Sequence, residues 1–512
     1  MSQWVRNRIN DLVRQYLHYH YRHISYFKTH PIQAQQQWWN KIIKKGAFTT
    51  WGKQHGLHKI SNYTEFNRQI PINTYEDLKP YITNMMGGMP NVLWPGKITW
   101  YSKSAGTTDK SKYIPVSDEN LQTCHIRSSW DAVAIIYSHQ PDLTLFADKT
   151  LLMGGSLSRL PEFPQAMVGD ISAIMIHRMP FIGKPFFTPD ERTALLTDWE
   201  EKIEAMVRIL LNEPDLVMLG GVPTWTVVLI KKLLEQSGHD NLLNLFPKLS
   251  AYMHGGTGFE PYREQFQNYI PKPGFIYQEI YNASEGYFAI QDIYNRQEML
   301  LLLDHGIFYE FMPLEEWGTS APRCIPLQEV ELDQVYVMVM TNNSGLWRYV
   351  PGDTIRFVST HPYRIRITGR IKQFINVFGE ELMVHNAEEA MGRVCRTMHL
   401  KVNDYTVGPI FLNDRHKGAH QWVIEFETPP QNLEAFGQLL DQTIQELNSD
   451  YQAKRFKNMA LENLKVNVVP SGTFLKWMRA KGSLGGQNKV PRLANDRRYV
   501  EAILGMLNNQ MS

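Results

Sequence analysis

The sequence predicts a mixed α/β fold, with a large N-terminal domain of β-sheets and helices and a small α+β C-terminal domain. Helical periodicity alternates with short apolar runs along most of the chain, which is typical of α/β proteins. The chain has 512 residues, too many for one ordinary hydrophobic core. We therefore expect a large domain at residues 1–368 and a small domain at residues 369–512.

The clearest helical pattern in the large domain follows residue 188. Thr188–Glu191 offers a capping box with a proline in the first turn. Apolar residues then recur at helical spacing, and they are Trp199, Ile203, Met206 and Leu210. The next apolar run, Leu216–Gly221, predicts a buried strand that ends in a glycine turn, and helix-then-strand order is typical of parallel sheets.

The end of the large domain is predicted to contain strands. Val335–Met340 is apolar on both strand faces and should be buried. We expect Asn342–Gly345 to form a turn and Leu346–Tyr349 to form a second strand. In Tyr363–Ile367, apolar residues alternate with arginines, which predicts a half-exposed strand.

The small domain shows two strand patterns around one helix. Trp422–Phe426 alternates as a strand does, and Val466–Val468 predicts a last strand. Between them, five apolar residues share one helical face, and they are Leu433, Phe436, Leu440, Ile444 and Leu447.

The composition excludes several classes of function. The 53 basic and 51 acidic residues give a net charge of +2, and without a basic stripe we expect no nucleic-acid partner. Cys124, Cys324 and Cys395 lie far apart, which excludes a disulfide framework and favours a cytoplasmic location. No apolar run is long enough to span a membrane. The basic, aromatic N-terminus lacks the apolar core of a signal peptide, so we expect a helix packed on the large domain.

The sharpest local motif is the segment Tyr101–Pro115, a small hydroxyl-rich turn with lysines between two strand-like runs. Its glycine lets backbone amides approach a bound group, and its hydroxyls and lysines suit a polyphosphate. The residues concerned are Ser104, Gly106, Thr107 and Thr108. The segment lacks the Gly-x4-Gly-Lys pattern of a P-loop, and an exposed hairpin turn explains it equally well when it is taken alone.

Two further turns are candidates for ligand contact. His254–Gly258 implies close backbone approach, either to a flat ligand or within a tight loop. Tyr281–Gly286 follows a strand pattern; within it, Glu285 is a possible oxygen ligand for Mg²⁺ and Tyr281 can stack on a base. A solvated loop carboxylate is the alternative explanation for Glu285.

Three turns lie at or beyond the end of the large domain. Asp353 follows a glycine turn and is well placed to accept hydrogen bonds from a ribose diol, although turn aspartates are common. Gly369 and Lys372, at the expected domain boundary, can absorb a hinge rotation. The glycine-rich segment Gly482–Arg492 can deliver Lys489 to a site, or can be a surface loop.

In their order and spacing, these turns resemble the adenylate-forming superfamily, which includes acyl-CoA synthetases, luciferases and nonribosomal adenylation domains. The closer resemblance is to the Gretchen Hagen 3 family, the auxin-responsive promoter family of acyl-acid amido synthetases, and it extends from about Trp51 to the C-terminus. The stretches that carry it are Ser104–Thr108 with Lys112–Pro115, His254–Gly256 with Phe259–Phe266, Tyr281–Gly286, Asn376–Glu381 and Gly485–Arg492.

The chain departs from the family pattern at three places. Ala105 stands where the phosphate loop of the family has a second serine, so one hydroxyl contact is lost. The turn Tyr349–Asp353 keeps the Gly-Asp pair but differs before it. A lysine that plant members carry near the position of His385 is absent.

The resemblance implies a two-step reaction with ATP and Mg²⁺. A carboxylic acid becomes an acyl-adenylate, and the acyl group then passes to an amine, expected to be that of an amino acid. It implies Lys489 and Glu285 as catalytic residues, Glu285 as the metal ligand and Lys372 as the hinge. The nucleotide-binding residues that it implies are Ser104, Gly106, Thr107, Thr108, Gly255, Gly256, Thr257, Tyr281, Asn282, Ser284, Glu285, Asp353 and Arg370.

Two alternatives compete with the amido synthetase. The first is an acyl-CoA ligase, in which a thiol replaces the amine. The second is a nucleotide-binding or scaffold protein that has lost catalysis, for which Ala105 is the best support. The sequence identifies neither the acid nor the amine, and a monomer is compatible with it.

Overall fold

The structure of the protein is a computed structural model. It describes residues 3–104, 112–181, 183–256, 258–371, 374–375, 382–410, 418–448, 451–452, 455, 461–481, 490–494 and 496–508. The chain divides into two compact units. The first unit comprises Met1–Gly256, Lys272–Pro351 and Ile355–Arg366, and the second comprises Thr257–Pro271, Gly352–Thr354 and Ile367–Ser512. The expected boundary between residues 368 and 369 stays a prediction.

The α-helices of the described residues are distributed over both units. They are α1 (Gln3–Thr29), α2 (Pro31–Gly46), α3 (Thr50–Gln54), α4 (Tyr63–Gln69), α5 (Tyr75–Met86), α6 (Asp118–Asn120), α7 (Arg127–His139), α8 (Ile171–His177), α9 (Glu191–Ala194), α10 (Trp199–Leu210), α11 (Pro223–Ser237), α12 (Arg263–Tyr269), α13 (Val384–Met398), α14 (Leu433–Leu447), α15 (Thr473–Ala480) and α16 (Arg498–Asn508). Short helical turns of other types are Leu57–Lys59, Leu121–Ile126, Lys184–Phe186, Leu242–Asn244, Glu260–Tyr262, Leu314–Glu316 and Leu327–Glu329.

The strands alternate with these helices, which confirms the predicted mixed α/β class. They are β1 (Trp100–Ser104), β2 (Lys112–Val116), β3 (Lys149–Leu152), β4 (Leu157–Leu160), β5 (Phe163–Gly169), β6 (Phe187–Thr188), β7 (Leu216–Gly221), β8 (Ala251–Gly255), β9 (Ile276–Ala283), β10 (Gly286–Ile290), β11 (Met299–Leu301), β12 (Ile307–Pro313), β13 (Ile325–Pro326), β14 (Val335–Asn342), β15 (Asp353–Thr360), β16 (Tyr363–Arg370), β17 (Phe374–Ile375), β18 (Leu382–Met383), β19 (Val402–Ile410), β20 (Ala419–Phe426) and β21 (Lys465–Val469).

The largest sheet places the ends of several parallel strands together. Its strand order is β13-β12-β14-β15-β16-β11-β10-β9-β8-β7-β3-β6. Strands β3, β7, β8 and β9 are parallel neighbours, as predicted for the region of Leu216–Gly221. Their carboxyl ends therefore meet at one edge, where open α/β sheets bind ligands. A separate four-stranded sheet has the order β2-β1-β5-β4.

Two predictions about the first unit are wrong. The single helix expected to begin at the Thr188–Glu191 capping box is two helices. Asp190 caps the first by accepting the amide of Thr193 at 2.9 Å, and Asp198 caps the second by accepting the amide of Glu201 at 2.8 Å. Leu346–Tyr349 forms two isolated bridges at Tyr349, to Asn73 and Met340, instead of a strand. The cause is Arg348, whose φ of 38° is incompatible with a strand and whose guanidinium pairs with buried Glu310 at 2.9 Å.

The first helix packs on the first unit, as predicted for the N-terminus. His20 on α1 contacts the Asp131 carboxylate on α7 at 2.5 Å, and Asn10 donates to the carbonyl of Leu143 at 3.3 Å. Among the described residues, none of the helices has the combination of length and hydropathy that a bilayer crossing requires.

The second unit has its own hydrophobic core. Its three-stranded sheet has the order β19-β20-β21 and carries α14, as the sequence predicted for residues 422–468. Asn432 caps α14 by accepting the amide of Ala435 at 2.9 Å. Fully buried side chains from the sheet, α13 and α14 form the core, among them Trp422, Phe436 and Leu440.

Candidate functional site

The carboxyl end of β8 requires glycine. Gly255 lies opposite Ile280 of β9, and a Cβ atom at Gly255 would lie 2.3 Å from the Ile280 carbonyl oxygen. Gly256 follows with a φ of +84°, which glycine adopts without strain. The backbone here can therefore approach a flat ligand closely, as the sequence predicted for Gly255 and Gly256. Thr257 lies outside the described residues.

A tight turn at the same edge of the sheet carries the predicted carboxylate. Strands β9 and β10 pair through Ala283 and Gly286, which leaves Ser284 and Glu285 as the turn. The carbonyl oxygen of Glu285 accepts from the side-chain amide of Asn342 at 2.9 Å, and the Tyr349 hydroxyl lies 3.5 Å from its Oε1 atom. Glu285 is only 7% exposed, so the turn and its carboxylate are held in place by neighbouring side chains.

A buried hydrogen bond joins this turn to the strand that leads into the predicted phosphate-binding segment. The Ser102 hydroxyl on β1 donates to the Ser284 hydroxyl oxygen at 2.9 Å, and both residues are buried. Ser104, two residues further along, is the last residue of β1 and pairs with Lys112 of β2. The structure thus brings the end of β1 to the Glu285 turn, although the two lie far apart in the sequence.

The tip of the β1–β2 hairpin contains several predicted phosphate ligands. Gly106, Thr107 and Thr108 lie outside the described residues, as does the side chain of Ser104. Their roles stay predictions. Lys112 of this hairpin places its Nζ atom 5.8 Å from the centre of the Tyr75 ring.

Two predicted nucleotide contacts lie on β9. The Tyr281 ring packs edge-on against Phe288 at 4.8 Å and is 7% exposed. The Asn282 Oδ1 atom lies 3.2 Å from Nδ1 of His125. Both side chains are therefore fixed by the sheet and by the helical segment before α7.

Sequence reasoning missed Ser102 and His125. Burial lowers the pKa of His125 to about 4, so its imidazole is neutral near pH 7. Its Nε2 atom has no hydrogen-bond partner among the described residues. Ser102 lies two residues before Ser104 on the same strand, and this alternation could have identified it. His125 belongs to no local motif.

The Glu285 side chain fits the predicted role in holding Mg²⁺. Among the described side chains, no cluster of three or more histidines, cysteines, aspartates or glutamates could hold a metal ion. Mg²⁺ at a nucleotide needs no such cluster, because one or two carboxylates and the phosphate oxygens are enough. Glu285 supplies one buried carboxylate of this kind.

The second unit contains the predicted ribose ligand. Asp353 follows Gly352, whose φ is +100°, and its Oδ1 atom accepts from Nε of Arg370 at 2.8 Å. The amide of Ile371 donates to the Gly352 carbonyl oxygen at 2.9 Å, which ties the two strand ends together. Asp353 and Arg370, both predicted nucleotide contacts, therefore form one ion pair.

The remaining predicted residues of the second unit are Lys372 and Lys489, and both lie outside the described residues. His385, near which a family lysine is absent, is described. Its Nδ1 atom donates to the Thr368 carbonyl oxygen at 2.9 Å, and Asn386 lies 3.2 Å from its Nε2 atom. Both ring nitrogens thus lie within hydrogen-bonding distance of local partners.

The fold is that of adenylate-forming ligases. A solved structure of GH3.15 acyl acid amido synthetase matches this chain with a TM-score of 0.75 at 18% identity, over 92% of this chain and 93% of that one. A solved 2-hydroxyisobutyryl-CoA ligase in complex with the adenylate R3-HIB-AMP matches with a TM-score of 0.53 at 12% identity, over 93% and 91% of the two chains.

Family models identify the chain more narrowly. The GH3 family N-terminal domain matches residues 20–153 and 156–275, the central domain matches 300–370, and the C-terminal domain matches 385–498. The chain belongs to the GH3 family. A relative, jasmonoyl-L-amino acid synthetase JAR4 of Nicotiana attenuata, is 24% identical over 536 residues, which cover 90% of each protein.

These matches confirm the resemblance to the Gretchen Hagen 3 family. They also confirm the prediction of a ligase that activates an acid with ATP and forms an amide, as acyl-acid amido synthetases do. The role of Mg²⁺ and the assignments of individual residues stay predictions.

Proposed function

We propose that this protein joins a carboxylic acid to the amine of an amino acid, with Glu285 and Lys489 as the catalytic residues. The observation that carries the proposal is the buried 2.9 Å hydrogen bond between Ser102 and Ser284. It holds the strand leading into the predicted phosphate-binding segment against the turn that carries Glu285. An acceptor carboxylate and a hydroxyl-rich glycine turn are the groups that a magnesium nucleotide requires.

In the first step, a carboxylate oxygen of the acid attacks the α-phosphorus of ATP. The bond from the α-phosphorus to the bridging oxygen breaks, and pyrophosphate leaves with the electron pair. Charge stabilisation is the main requirement of such a transfer. Glu285 would hold Mg²⁺, which would supply positive charge to the phosphates. Ser104, Thr107 and Thr108 donate hydroxyl hydrogens to phosphate oxygens, and Lys489 adds a cation.

The proposal also assigns residues to the nucleoside. Gly255, Gly256 and Thr257 approach the base by their backbone, and Tyr281 stacks on it, with Asn282 fixed beside it. Asp353 accepts hydrogen bonds from the ribose hydroxyls, and Arg370 fixes the orientation of the Asp353 carboxylate. The known 2.8 Å contact between Arg370 and Asp353 supports the last assignment.

In the second step, the neutral amine nitrogen of the amino acid attacks the acyl carbon. The carbon–oxygen bond to the phosphate breaks, AMP leaves, and the nitrogen loses its extra proton to solvent. Lys372 is the hinge that allows the change between the two steps. No nucleophilic side chain is needed, and the buried thiols of the chain have no part in either step.

The first experiment measures carboxylate-dependent exchange of radiolabelled pyrophosphate into ATP. A panel of aromatic, cyclopentenyl and aliphatic acids is tested, and each active acid is then incubated with single amino acids or with CoA. We expect exchange with at least one acid and an amide product. A thioester product would support the acyl-CoA ligase instead, and the absence of exchange with every acid would support a protein that only binds nucleotides.

The second experiment tests the two catalytic assignments with matched controls. Lys489→Ala and Glu285→Gln are expected to lower the exchange rate by about 10²-fold or more, the size of one lost electrostatic contact in a transition state. Lys476→Ala and Glu329→Gln make the same two substitutions at exposed positions and serve as controls. Wild-type exchange rates in Lys489→Ala and Glu285→Gln would remove these residues from the mechanism.

We also propose a cytoplasmic location. Support comes from the three cysteines, all of which are buried and unpaired, as expected for a protein of a reducing compartment. Fractionation of the native cells with an antibody against the chain tests this assignment.

A further inference from the structure

Helix α1 has two sides of different character. Its inner side packs against α7 of the first unit and contains Leu17, Ile24 and Phe27, whose exposed fractions are 1% or less. At 3.6 residues per turn, residues on the opposite side point away from this contact. The packing of the helix therefore does not explain which residues occupy its outer side.

The outer side of α1 carries a stripe of large apolar residues and arginines in contact with water. The stripe advances by steps of three or four residues and passes through the exposed Gln15, so its members share one helical face. It extends over about 33 Å from its first residue to its last. This stripe is the outer face of α1, and its members are Trp4, Arg8, Leu12, Tyr19, Arg22 and Tyr26.

The apolar members of the outer face are well exposed. Trp4 is 68% exposed, Leu12 is 66% exposed and Tyr19 is 58% exposed. Single exposed apolar residues are common on protein surfaces, but several on one helical face indicate an interaction site. Tryptophan and tyrosine combine an apolar ring with a polar tip, and they are enriched where hydrocarbon meets water.

The positive charges of the outer face are not neutralised by nearby carboxylates. Among the described residues, no acidic side chain forms an ion pair with Arg8 or Arg22. The Arg8 guanidinium lies 5.6 Å from the centre of the Trp4 ring, and that of Arg22 lies 5.2 Å from the centre of the Tyr19 ring. The outer face therefore presents arginines and aromatic rings together, and a negatively charged partner complements it.

The other arginines and the lysine of α1 lie off the outer face, and each of them has an acidic partner. The pairs are Arg6 with Asp215 at 3.8 Å, Arg14 with Asp11 at 3.3 Å and Lys28 with Asp292 at 2.8 Å. The one acidic residue of the helix is thus already engaged. The unbalanced arginine charge of α1 is confined to the face that exposes tryptophan and tyrosine.

A second copy of the chain does not complement this charge. In a parallel pairing of two outer faces, each arginine would lie opposite its own copy. In the antiparallel pairing that overlaps the whole face, Arg8 would lie opposite Arg22, and like charges in contact destabilise an interface. A nucleic acid is disfavoured as well, because phosphate-backbone binding typically uses roughly six or more cationic contacts and the face has only its arginines.

We propose that the outer face of α1 is a docking surface for an anionic lipid bilayer, on which the protein adsorbs without crossing it. The arginines meet negative headgroups, and the rings of Trp4 and Tyr19 lie at the level of these headgroups. Leu12 is the single aliphatic side chain of the face, so insertion is shallow and binding is reversible. The inference is independent of the ligase chemistry, because lipid binding alone decides it.

Sedimentation of the full chain with large unilamellar vesicles tests the proposal. One set of vesicles contains phosphatidylcholine alone, and the other contains equal amounts of phosphatidylcholine and phosphatidylglycerol. We expect binding to the mixed vesicles at low salt and none to phosphatidylcholine alone. Binding should be lost in about 0.5 M NaCl, where screening acts over a few ångströms.

The first variant removes the charge of the outer face. Arg8→Gln with Arg22→Gln is expected to lower the partition coefficient for mixed vesicles about 30-fold, the size expected for two arginines at an anionic surface. Arg296→Gln with Arg323→Gln removes the same net charge from side chains that are 61% and 71% exposed, and it should bind as the wild type does. Thermal unfolding checks that each variant is folded.

The second variant removes the aromatic rings and keeps the charge. Trp4→Gln with Tyr19→Gln is expected to lower the partition coefficient about 10-fold, because less apolar surface enters the headgroup region. Phe48→Gln with Phe181→Gln is the matched control. It removes two exposed rings that lie outside α1, and we expect the wild-type partition coefficient.

Each outcome decides the inference. No binding to mixed vesicles, equal binding to both kinds of vesicle, or equal losses in the outer-face and control variants would overturn it. Self-association of the lipid-free wild type in sedimentation velocity, abolished by Arg8→Gln with Arg22→Gln, would assign the face to a second copy instead. Binding of an RNA oligonucleotide in place of vesicles, lost in the same variant, would assign it to a nucleic acid.

Discussion

Arg370 donates its Nε hydrogen to Oδ1 of Asp353 at 2.8 Å. The two residues are the last residue of β16 and the first residue of β15, so neighbouring strand ends create the pair. Asp353 is almost fully buried, whereas the Arg370 side chain is 42% exposed. The pair therefore fixes the orientation of a carboxylate that we propose accepts hydrogen bonds from a diol.

The first prediction concerns this carboxylate. Asp353→Asn keeps the size of the side chain and removes its charge, which weakens hydrogen bonds to both ribose hydroxyls. We expect KM for ATP to rise about 10- to 100-fold, with KM for the acid unchanged. Exchange kinetics at varied ATP and varied acid measure both constants.

Asp333→Asn is the control for this variant. Asp333 is exposed and has a φ of 63°, a conformation that asparagine also tolerates. An equal change of both KM values in Asp353→Asn, or the same change in Asp333→Asn, would contradict the ribose assignment.

The second prediction concerns the Ser102–Ser284 hydrogen bond. Ser284→Ala leaves the Ser102 hydroxyl without its buried acceptor, so we expect a loss of about 1–3 kcal/mol in the free energy of unfolding and a lower exchange rate. The double alanine variant should lose less than the sum of the two single variants, since it leaves no unpaired hydroxyl. Urea unfolding of the wild type, the two single alanine variants and the double variant measures the coupling energy. Strict additivity of the two single losses would argue against the hydrogen bond.

The third prediction compares two glycines, one with no space for a Cβ atom and one with enough space. Gly255→Ala places a Cβ atom 2.3 Å from a carbonyl oxygen of β9, so we expect lower stability and loss of nucleotide-dependent exchange. Gly437→Ala lies inside α14, and its Cβ atom would have only an ordinary contact of 3.6 Å with Val466. This second variant should be stabilised by about 1 kcal/mol and keep its activity. Thermal unfolding compares the pair, and a tolerated alanine at position 255 would show that the backbone approach there is not needed.

The fourth prediction concerns pH and His125. Its folded-state pKa of about 4 lies below the usual histidine pKa of 6.5, so between these pH values the unfolded chain binds a proton that the native protein does not. The contribution of His125 is therefore fully present above pH 6.5 and is lost as pH falls towards 4. The loss is on the order of 3 kcal/mol by linkage.

His125→Gln lacks this titration and should lose less stability than the wild type between pH 7 and pH 4.5. Urea midpoints at several pH values measure the difference, and other titrating groups cancel because both proteins contain them. His58→Gln, at an exposed position, should follow the wild type. Identical pH profiles for wild type and His125→Gln would show that His125 takes up a proton in the native protein.

Much of the fold followed from local pattern. Helix α14 begins and ends at the first and last apolar residues of the predicted face, Leu433 and Leu447. Strand β7 covers Leu216–Gly221 as predicted. Such elements are set by periodicity because their apolar faces point to a single core. The start of α10 was missed because Asp190 and Asp198 both satisfy the requirements of an N-cap.

The strand expected at Leu346–Tyr349 failed because of distant contacts. The Trp347 ring stacks on Trp51 at 5.1 Å, and its Nε1 atom donates to the Leu93 carbonyl oxygen at 3.1 Å. These partners are 296 and 254 positions away in the sequence, respectively. Local alternation carries no information about them, so propensity alone gave the wrong element.

The turns of the candidate site were predictable from the sequence, but the distant residues that hold these turns in place were not. Gly255 and Glu285 lie at strand ends, where glycines and polar residues leave a local signal. Ser102 and His125 are recognised only once β1 and the segment before α7 are placed beside β9. Their partners are 182 and 157 positions away, respectively.

In the second unit, the Tyr262 hydroxyl oxygen accepts from Nη2 of Arg492 at 2.7 Å, and this pairing has a consequence for biosynthesis. The two residues are 230 positions apart, and the ribosome adds about 5–20 residues per second, so the tyrosine waits roughly 10 to 50 s for its partner. During that time the aromatic residues Phe259 and Phe266, buried in the finished protein, belong to a nascent chain whose partner unit has not been synthesised. We therefore expect a fragment ending at residue 368 to keep this apolar stretch exposed to water.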